Sequence, residues 1–456
     1  MQNFDAIIIG TGQAGPSLAA RCASEGLKTA IIERDRFGGT CVNTGCTPTK
    51  ALVASARVAH MAGRSVDFGV EINGEISVDM KSVKARKDKI VEQSTTGVEN
   101  WLKSTENLTV FEGHASFESS NTISVGDQLL KADKIFINVG GRAYIPDGFQ
   151  DVKYLTNSSM MEIDFIPDHL MIVGGSYIGL EFGQMYKRFG SRVTIIEKGS
   201  RLVSREDEDV SDEIRKILEG EEINFRMEAD CLSGEMIGNQ IKINVDCSKG
   251  DKQITGSHLL LATGRQPNTD DLGLEKAGIQ TKTRGYIEVD DQLRTNVSGI
   301  WAMGDCNGKG AFTHTTYNDF EIVAANLFDN DPRKVSDRIT CYGLFIDPAL
   351  GRAGMTENEV RKSGIKALIG TRAMKRIARA KEKGETNGFM KILVDAESKK
   401  ILGAAILGIE GDEIIHSILD IMYAEAPYTV IQRAVHIHPT VSELIPTMLG
   451  ELKPLD

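Results

Sequence analysis

Cys41 and Cys46 stand five positions apart in the stretch GGTCVNTGCTPTK, Gly38 to Lys50. At a helical rise of about 1.5 Å per residue, five steps separate two Cα atoms by roughly 7.5 Å. A relaxed disulfide holds them about 4.4 to 6.8 Å apart. Closing the pair therefore needs a distorted turn, for which Gly45 supplies backbone freedom while Pro48 pre-sets φ for a first helical turn. A strained, accessible disulfide is easily reduced and suits electron transfer, whereas a framework bridge normally closes a longer loop. Two unpaired buried thiols fit the same spacing.

A second group lies near the C-terminus, in RAVHIHPTVSEL. His438 precedes Pro439, which biases its backbone towards an extended form, and Glu443 follows five positions later. A carboxylate bonded to one ring nitrogen fixes the imidazole tautomer and leaves the other nitrogen as a base. A lone histidine serves structure as readily as catalysis, and His436 is a neighbouring competitor for the role.

Such groups need rigid elements to position them, and the sequence offers two of one kind. FDAIIIGTGQAGPSLAARCASEGLKTAIIERD reads as a strand from Asp5 to Ile9, a glycine turn, a helix with Ala14, Leu18 and Cys22 on one face, and a second strand ending at Glu33. Gly10, Gly12 and Gly15 fit G-x-G-x-x-G, which lets backbone N–H groups and a helix N-terminus meet a pyrophosphate. Glu33, 23 positions after Gly10, is placed to accept ribose hydroxyls.

The pattern recurs in LMIVGGSYIGLEFGQMYKRFGSRVTIIEKGSR, so two dinucleotides are expected. Gly174 and Gly179 are present, but Ser176 replaces the middle glycine, which predicts a phosphate slightly further off. Glu197, again 23 positions on, would repel a 2′-phosphate and favours NADH. Lys198 and Arg201 offer a counter-charge that leaves NADPH possible.

The 456 residues suggest roughly three domains. A formal charge of −11 points away from nucleic acid and anionic membrane surfaces as partners. No apolar run approaches the span of about 20 residues that a bilayer requires, and the start MQNFDAIIIGTG has neither a basic flank nor a cleavage site, so a cytoplasmic protein is expected. Seven scattered cysteines, an odd number, do not read as a secreted disulfide framework. No metal site is expected. RAMKRIARAKEKGE, with Arg372, Lys375, Arg376, Arg379, Lys381 and Lys383, reads as a solvated face, with attraction of anionic substrates as the alternative.

The ordered set GTGQAG, GGTCVNTGCTPTK, GGSYIGLE, ATGRQPN, GIWAMGD and HIHPTVSE resembles, over the full length, the two-cysteine flavoprotein disulfide reductases, which include dihydrolipoamide dehydrogenase, glutathione reductase and mercuric reductase. The cysteine motif looks most like the mercuric-reductase branch, and HIHPTVSE like the dihydrolipoamide-dehydrogenase end. The resemblance implies an α/β fold with two Rossmann-like domains, for FAD and NAD(P), and a C-terminal α+β dimerisation domain. The expected limits are 1–147 for the FAD domain, 148–266 for the NAD(P) domain, 267–336 for the returning FAD segment and 337–456 for the interface domain.

Carried over residue by residue, the resemblance makes Cys46 the thiol against the flavin and Cys41 the one that meets substrate. A helix N-terminus and the cation of Lys50 would lower the thiol pKa, and Lys50 would pair with Glu181. Tyr177 would gate the nicotinamide pocket, Asp305 would bond the ribityl chain, and Thr40 and Gly264 would join the cofactor-binding set. Thr263 and Arg265 read as architectural. His438 and Glu443 would form the dyad serving the interchange thiol of a neighbouring subunit, so a homodimer is expected. The implied activity is electron transfer from a nicotinamide through FAD and the cysteine pair to a small disulfide or dithiol. Reduction of Hg(II) is the alternative, weakened because the tail LIPTMLGELKPLD lacks a cysteine pair. A further alternative is a flavin-binding redox sensor or scaffold without turnover.

Overall fold

The computed structural model describes residues 1–247 and 250–455. Its N-terminal unit is built on a five-stranded parallel sheet in the order Ile300–Ala302, Lys134–Ile137, Ala6–Ile9, Thr29–Glu33 and Leu108–Glu112. The central strand AIII is buried on both faces, as a parallel strand must be. Alternate residues divide between two cores. Ala6 and Ile8 pack with Ala14, Leu18 and Cys22 of the helix Ala14–Ser24, whereas Ile7 and Ile9 pack with Phe117, Ile123 and Leu130 of a small sheet on the opposite face. The strand begins at Ala6, one residue later than expected, and the Asp5 side chain accepts the Lys28 amide at 2.8 Å.

The second unit repeats the parallel arrangement with Tyr154–Leu155, His258–Leu261, His169–Val173, Arg192–Ile196 and Asn224–Arg226. The helix Tyr177–Phe189 follows the His169–Val173 strand, the same strand–turn–helix order as in the first unit. Between the two units, Gly141–Ala143 pairs antiparallel with Arg265–Pro267, so outgoing and returning chain run side by side.

The C-terminal unit is an antiparallel sheet of six strands, ordered Cys341–Leu344, Leu350–Gly354, Ile401–Leu407, Phe389–Asp395, Ala367–Ala373 and Lys453–Pro454. The helix Gly411–Tyr423 packs against it. The fold is therefore the expected α/β arrangement with two dinucleotide-type units and an α+β C-terminal unit. Among the described residues, no helix is long and apolar enough to cross a membrane.

A buried ionic chain joins the second unit to the third. Arg352 and Lys391 lie inside the C-terminal sheet, each 1% exposed, where unpaired charge would be very costly. Arg352 pairs with Glu206 and, at 3.1 Å, with Asp207. Lys391 pairs with Asp207 at 2.9 Å, Asp209 at 2.7 Å and Glu357 at 3.2 Å. The cation of Lys391 thus sits among the three carboxylates that a metal ion would otherwise need. In the basic segment, Arg379 and Lys383 pair with Glu382 and Glu410, and Lys375, Arg376 and Lys381 are exposed, in keeping with a solvated face.

Candidate active site

The two cysteines are carried by two short-linked helices, Gly39–Asn43 and Cys46–Gly63. The break falls at Thr44 and Gly45, and a Cβ on Gly45 would lie 2.8 Å from the Thr40 carbonyl oxygen, so only glycine lets the second helix start this close to the first. Cys46 is the first residue of its helix and Cys41 lies in the preceding one, both as free thiols. Pro48 falls in the first turn, as its fixed φ favours.

Cys46 is the charged member of the pair. Its pKa is pushed down to about 6, first by the hydrogen bond with Cys41, then by Thr313 and the Lys50 cation, against the opposing effects of burial and Glu181. The Thr313 hydroxyl stands 3.1 Å from Cys46 Sγ. Cys41 moves the other way, because its proton is held in the bond to Cys46 and burial disfavours a second thiolate beside the first. One thiolate and one thiol is the asymmetry that exchange chemistry uses.

Lys50, one turn after Cys46, reaches Glu181 with Nζ 2.7 Å from Oε2. The ammonium also lies 4.2 Å from the centre of the Phe345 ring, and Glu181 Oε1 accepts the Phe345 amide at 3.0 Å. Cys46 and Lys50, Glu181, Thr313 and Phe345 come from four separate stretches of chain and meet at one point.

A cavity of about 370 Å³ reaches the helix that carries Cys41 and is lined by Gly10, Thr11, Gly12, Glu33 and Thr40, with Arg34 among the basic residues at its wall. A Cβ on Gly15 would lie 2.1 Å from the Gly10 carbonyl oxygen, and one on Gly10 2.4 Å from that of Asn138. The chain there passes closer than any side chain permits, and the cavity stays open for a diphosphate. Glu33 is held by Thr11 and by the amides of Arg34 and Asp35 at 2.9 and 3.0 Å. Asn138 Nδ2 donates to the Gly12 carbonyl at 3.0 Å and fixes the glycine turn. Asp305 sits in the turn after the Ile300–Ala302 strand and pairs with Arg265 Nε at 3.2 Å. Thr263 donates to the Tyr144 carbonyl at 2.9 Å, and Arg265 donates to that of Gly141, contacts that tie the two connecting strands. The residues present fit FAD.

In the second unit, Gly179 would place a Cβ 2.0 Å from the Gly174 carbonyl oxygen, and Gly174 would place one 2.3 Å from that of Ala262. Ser176 has φ −118° and ψ −169°, extended backbone open to any residue, which explains why the middle position tolerates a side chain. Glu197 accepts the amides of Gly175 and Gly199 at 2.6 and 2.7 Å. Lys198 is engaged by Asp230 at 2.7 Å. Gly264 has φ +129°, a left-handed conformation that favours glycine. Tyr177 opens the helix, and its ring meets those of Phe312 and Tyr342 edge-on.

His438 Nδ1 lies 2.9 and 3.1 Å from the two oxygens of Glu443, whereas His436 Nδ1 is turned to the Ala434 carbonyl at 3.2 Å. The carboxylate therefore distinguishes the two histidines.

The model of the pyridine nucleotide-disulphide oxidoreductase family matches residues 4–319, and that of its dimerisation domain matches residues 341–449. The chain belongs to this family. It is 34% identical to the probable pyridine nucleotide-disulfide oxidoreductase RclA of Escherichia coli, over 99% of this chain and 100% of that protein. It is 31% identical to dihydrolipoyl dehydrogenase 3 of Haloarcula marismortui, over 97% of this chain and 94% of that one. The solved structure of the HOCl-induced flavoprotein disulfide reductase RclA from Escherichia coli superposes with a TM-score of 0.90 at 33% identity, covering 98% of this chain and 100% of that chain. The protein is a flavoprotein oxidoreductase acting on sulfur groups with a pyridine nucleotide.

Within this oxidoreductase, sequence reasoning missed Thr313, Phe345, Asn138 and Tyr342. Thr313 is the first residue of the helix Thr313–Ala324, after the Gly-Lys-Gly loop, and nothing in its neighbourhood points to Cys46. Asn138 follows the strand Lys134–Ile137 and carries no motif.

Proposed function

We propose that this oxidoreductase passes electrons from NADH through FAD to the Cys41–Cys46 pair and on to a small disulfide of the lipoamide type. The observation that carries this reading is the pair of free thiols on adjoining helices, with the Thr313 hydroxyl 3.1 Å from Cys46 Sγ and the Lys50–Glu181 ion pair one turn on, a setting that favours the Cys46 thiolate. FAD, once held by Gly10, Gly12, Gly15, Glu33, Thr40 and Asp305, supplies the two-electron relay between nicotinamide and thiols.

The chain's own groups account for the sulfur steps. Cys41, deprotonated by the imidazole of His438, attacks one sulfur of the substrate disulfide. Its S–S bond breaks, a mixed disulfide forms on Cys41, and the departing thiolate takes the proton from His438. Cys46, already a thiolate, then attacks Cys41 Sγ, restoring the Cys41–Cys46 disulfide and releasing the second thiolate. Glu443 keeps the imidazole oriented throughout. Each disulfide reduced consumes two electrons, the number one NADH delivers.

The imidazole comes from a second subunit in this reading, which makes the working unit a homodimer with shared sites. Its support is the exposure of the region, with Val435 and Ile437 fully or largely open beside His438. The limits 1–147, 148–266, 267–336 and 337–456 are the proposed domains of each subunit. NADH is favoured over NADPH by the carboxylate of Glu197 and by the engagement of Lys198 with Asp230. A cytoplasmic, reducing compartment suits a pair that must cycle.

The test is anaerobic reduction followed by turnover. A holoprotein whose flavin bleaches with NADH and which then reduces lipoamide, but loses lipoamide turnover as Cys41→Ser, supports the proposal. A flavin that stays oxidised with both nicotinamides supports a scaffold instead. Faster turnover of thiol-complexed Hg(II) than of lipoamide moves the assignment to mercuric reduction.

A further inference from the structure

Tyr177 is set edge-on against two rings that are themselves stacked. The centroid of its ring lies 5.8 Å from that of Phe312 and 5.7 Å from that of Tyr342, at interplanar angles of 84° and 86°. Phe312 and Tyr342 stack at 5.6 Å and 16°, and His314 stacks on Phe312 at 5.4 Å and 11°. Edge-to-face contacts of this kind are attractive beyond the area they bury. The Tyr177 hydroxyl, however, is buried without a hydrogen-bond partner. Leaving the wall would give that hydroxyl water, so its resting place is held by the ring contacts and by the neighbouring Tyr342 hydroxyl.

Tyr342 in turn is not free to move. It lies on the strand Cys341–Leu344 of the C-terminal sheet, and its hydroxyl donates to Glu206 Oε1 at 2.7 Å. Glu206 is 2% exposed and its other oxygen is bound to Arg352, which also holds Asp207. Burial and the neighbouring Glu206 carboxylate push the Tyr342 phenol well above its ordinary pKa, so it remains a donor. Swinging this ring aside would break a bond to a buried, charged acceptor.

We propose that the Tyr342–Phe312 wall, anchored through Glu206 and Arg352, positions Tyr177 in the closed place and so sets the affinity for the nicotinamide nucleotide. The inference rests on the reading of Tyr177 as the gate of that pocket. A gate that is mostly closed lowers apparent affinity in proportion to the fraction open, so an anchor for the closed state weakens nicotinamide binding and shields the pocket when it is empty. Tyr342 is a positioning residue in this scheme, acting only through Tyr177.

The experiment is calorimetric titration of the oxidised holoenzyme with NAD⁺, on the wild type, Tyr342→Phe, Tyr177→Ala and the double variant. Tyr342→Phe keeps the ring and removes the anchoring hydroxyl. It is expected to bind NAD⁺ about threefold to tenfold more tightly, and to oxidise NADH faster with dioxygen when no disulfide is present. A merely structural defect would weaken binding rather than tighten it. In the Tyr177→Ala background the same substitution is expected to add nothing.

Unchanged or weaker NAD⁺ binding by Tyr342→Phe, with altered binding by Tyr177→Ala, overturns the anchor and leaves the gate standing. Unchanged binding by Tyr177→Ala removes both. Phe312→Leu, which leaves the ionic chain intact, gives an independent measurement should Tyr342→Phe not fold. Tighter NAD⁺ binding by that variant supports the wall, and binding equal to or weaker than wild type overturns it.

Discussion

His438 is bound to Glu443 through Nδ1 while 75% of its side chain stands open on the surface of the chain. The ring is thus oriented by the carboxylate while its Nε2 edge stays open. Among the described residues, no hydrogen bond joins it to Cys41 or Cys46 of the same chain.

If that open nitrogen serves a partner's thiol, activity can be rebuilt from two dead chains. Cys41→Ser homodimers are expected to lose lipoamide turnover outright, having no sulfur to attack the substrate, and His438→Gln homodimers to lose about 10² to 10⁴ of it, the scale of general acid–base catalysis. A heterodimer of the two has one site with both groups intact and is expected to regain turnover. No recovery in purified heterodimers would place the dyad and the thiols in one chain. Reduction of the flavin by NADH should be untouched in His438→Gln.

Thr313 supports the Cys46 thiolate through its hydroxyl. Thr313→Val removes that bond, so the Cys46 pKa is expected to rise from about 6. The sign follows directly: above the new pKa the thiolate persists, and between the old and new values it is lost. In the two-electron-reduced holoprotein, the thiolate–flavin charge-transfer absorbance titrated against pH should shift its midpoint upward. Thr313→Ser should restore it, and an unmoved midpoint would leave Thr313 a helix-start residue only.

Lys50→Met strips the cation from Glu181, whose side chain is 8% exposed and which then keeps, among the described residues, only the Phe345 amide. A charged group left short of partners costs about 1 to 3 kcal/mol, readable as a lower Tm. The same change removes the cation that favours the Cys46 thiolate, so the charge-transfer midpoint should rise here as well.

Glu197→Ala removes the carboxylate that would face a 2′-phosphate. The ratio of kcat/KM for NADH to that for NADPH is expected to fall about tenfold, the effect of losing one repulsive contact of about 1.4 kcal/mol. A ratio that does not change would mean that Glu197 serves only the amides of Gly175 and Gly199.

Gly15→Ala is expected to release FAD. Its Cβ would be driven to 2.1 Å from the Gly10 carbonyl oxygen, forcing the glycine turn outward into the cavity. The purified variant should carry less flavin per chain than wild type, measured by absorbance after unfolding.

The two strand–turn–helix units were legible in the sequence because their signals are local. Ile7 and Ile9 alternate with Ala6 and Ile8, glycines occupy the tight turn, and Glu33 and Glu197 end the following strands, all within about 30 residues, the length of one βαβ unit. The cysteine pair was legible for the same reason, since Gly45 and Pro48 mark the break between its helices. Contacts between distant stretches were not. Thr313 reaches Cys46 across 267 positions and Tyr342 reaches Glu206 across 136, and no periodicity spans such gaps. Cys46 as the low-pKa thiol and His438 as the partner of Glu443 were expected from the family resemblance rather than from a local pattern, whereas how Arg352 and Lys391 are neutralised was decided by packing. A charge taken out of water is costly unless it is paired, and the partners of Arg352 and Lys391 are brought together only by the folded chain.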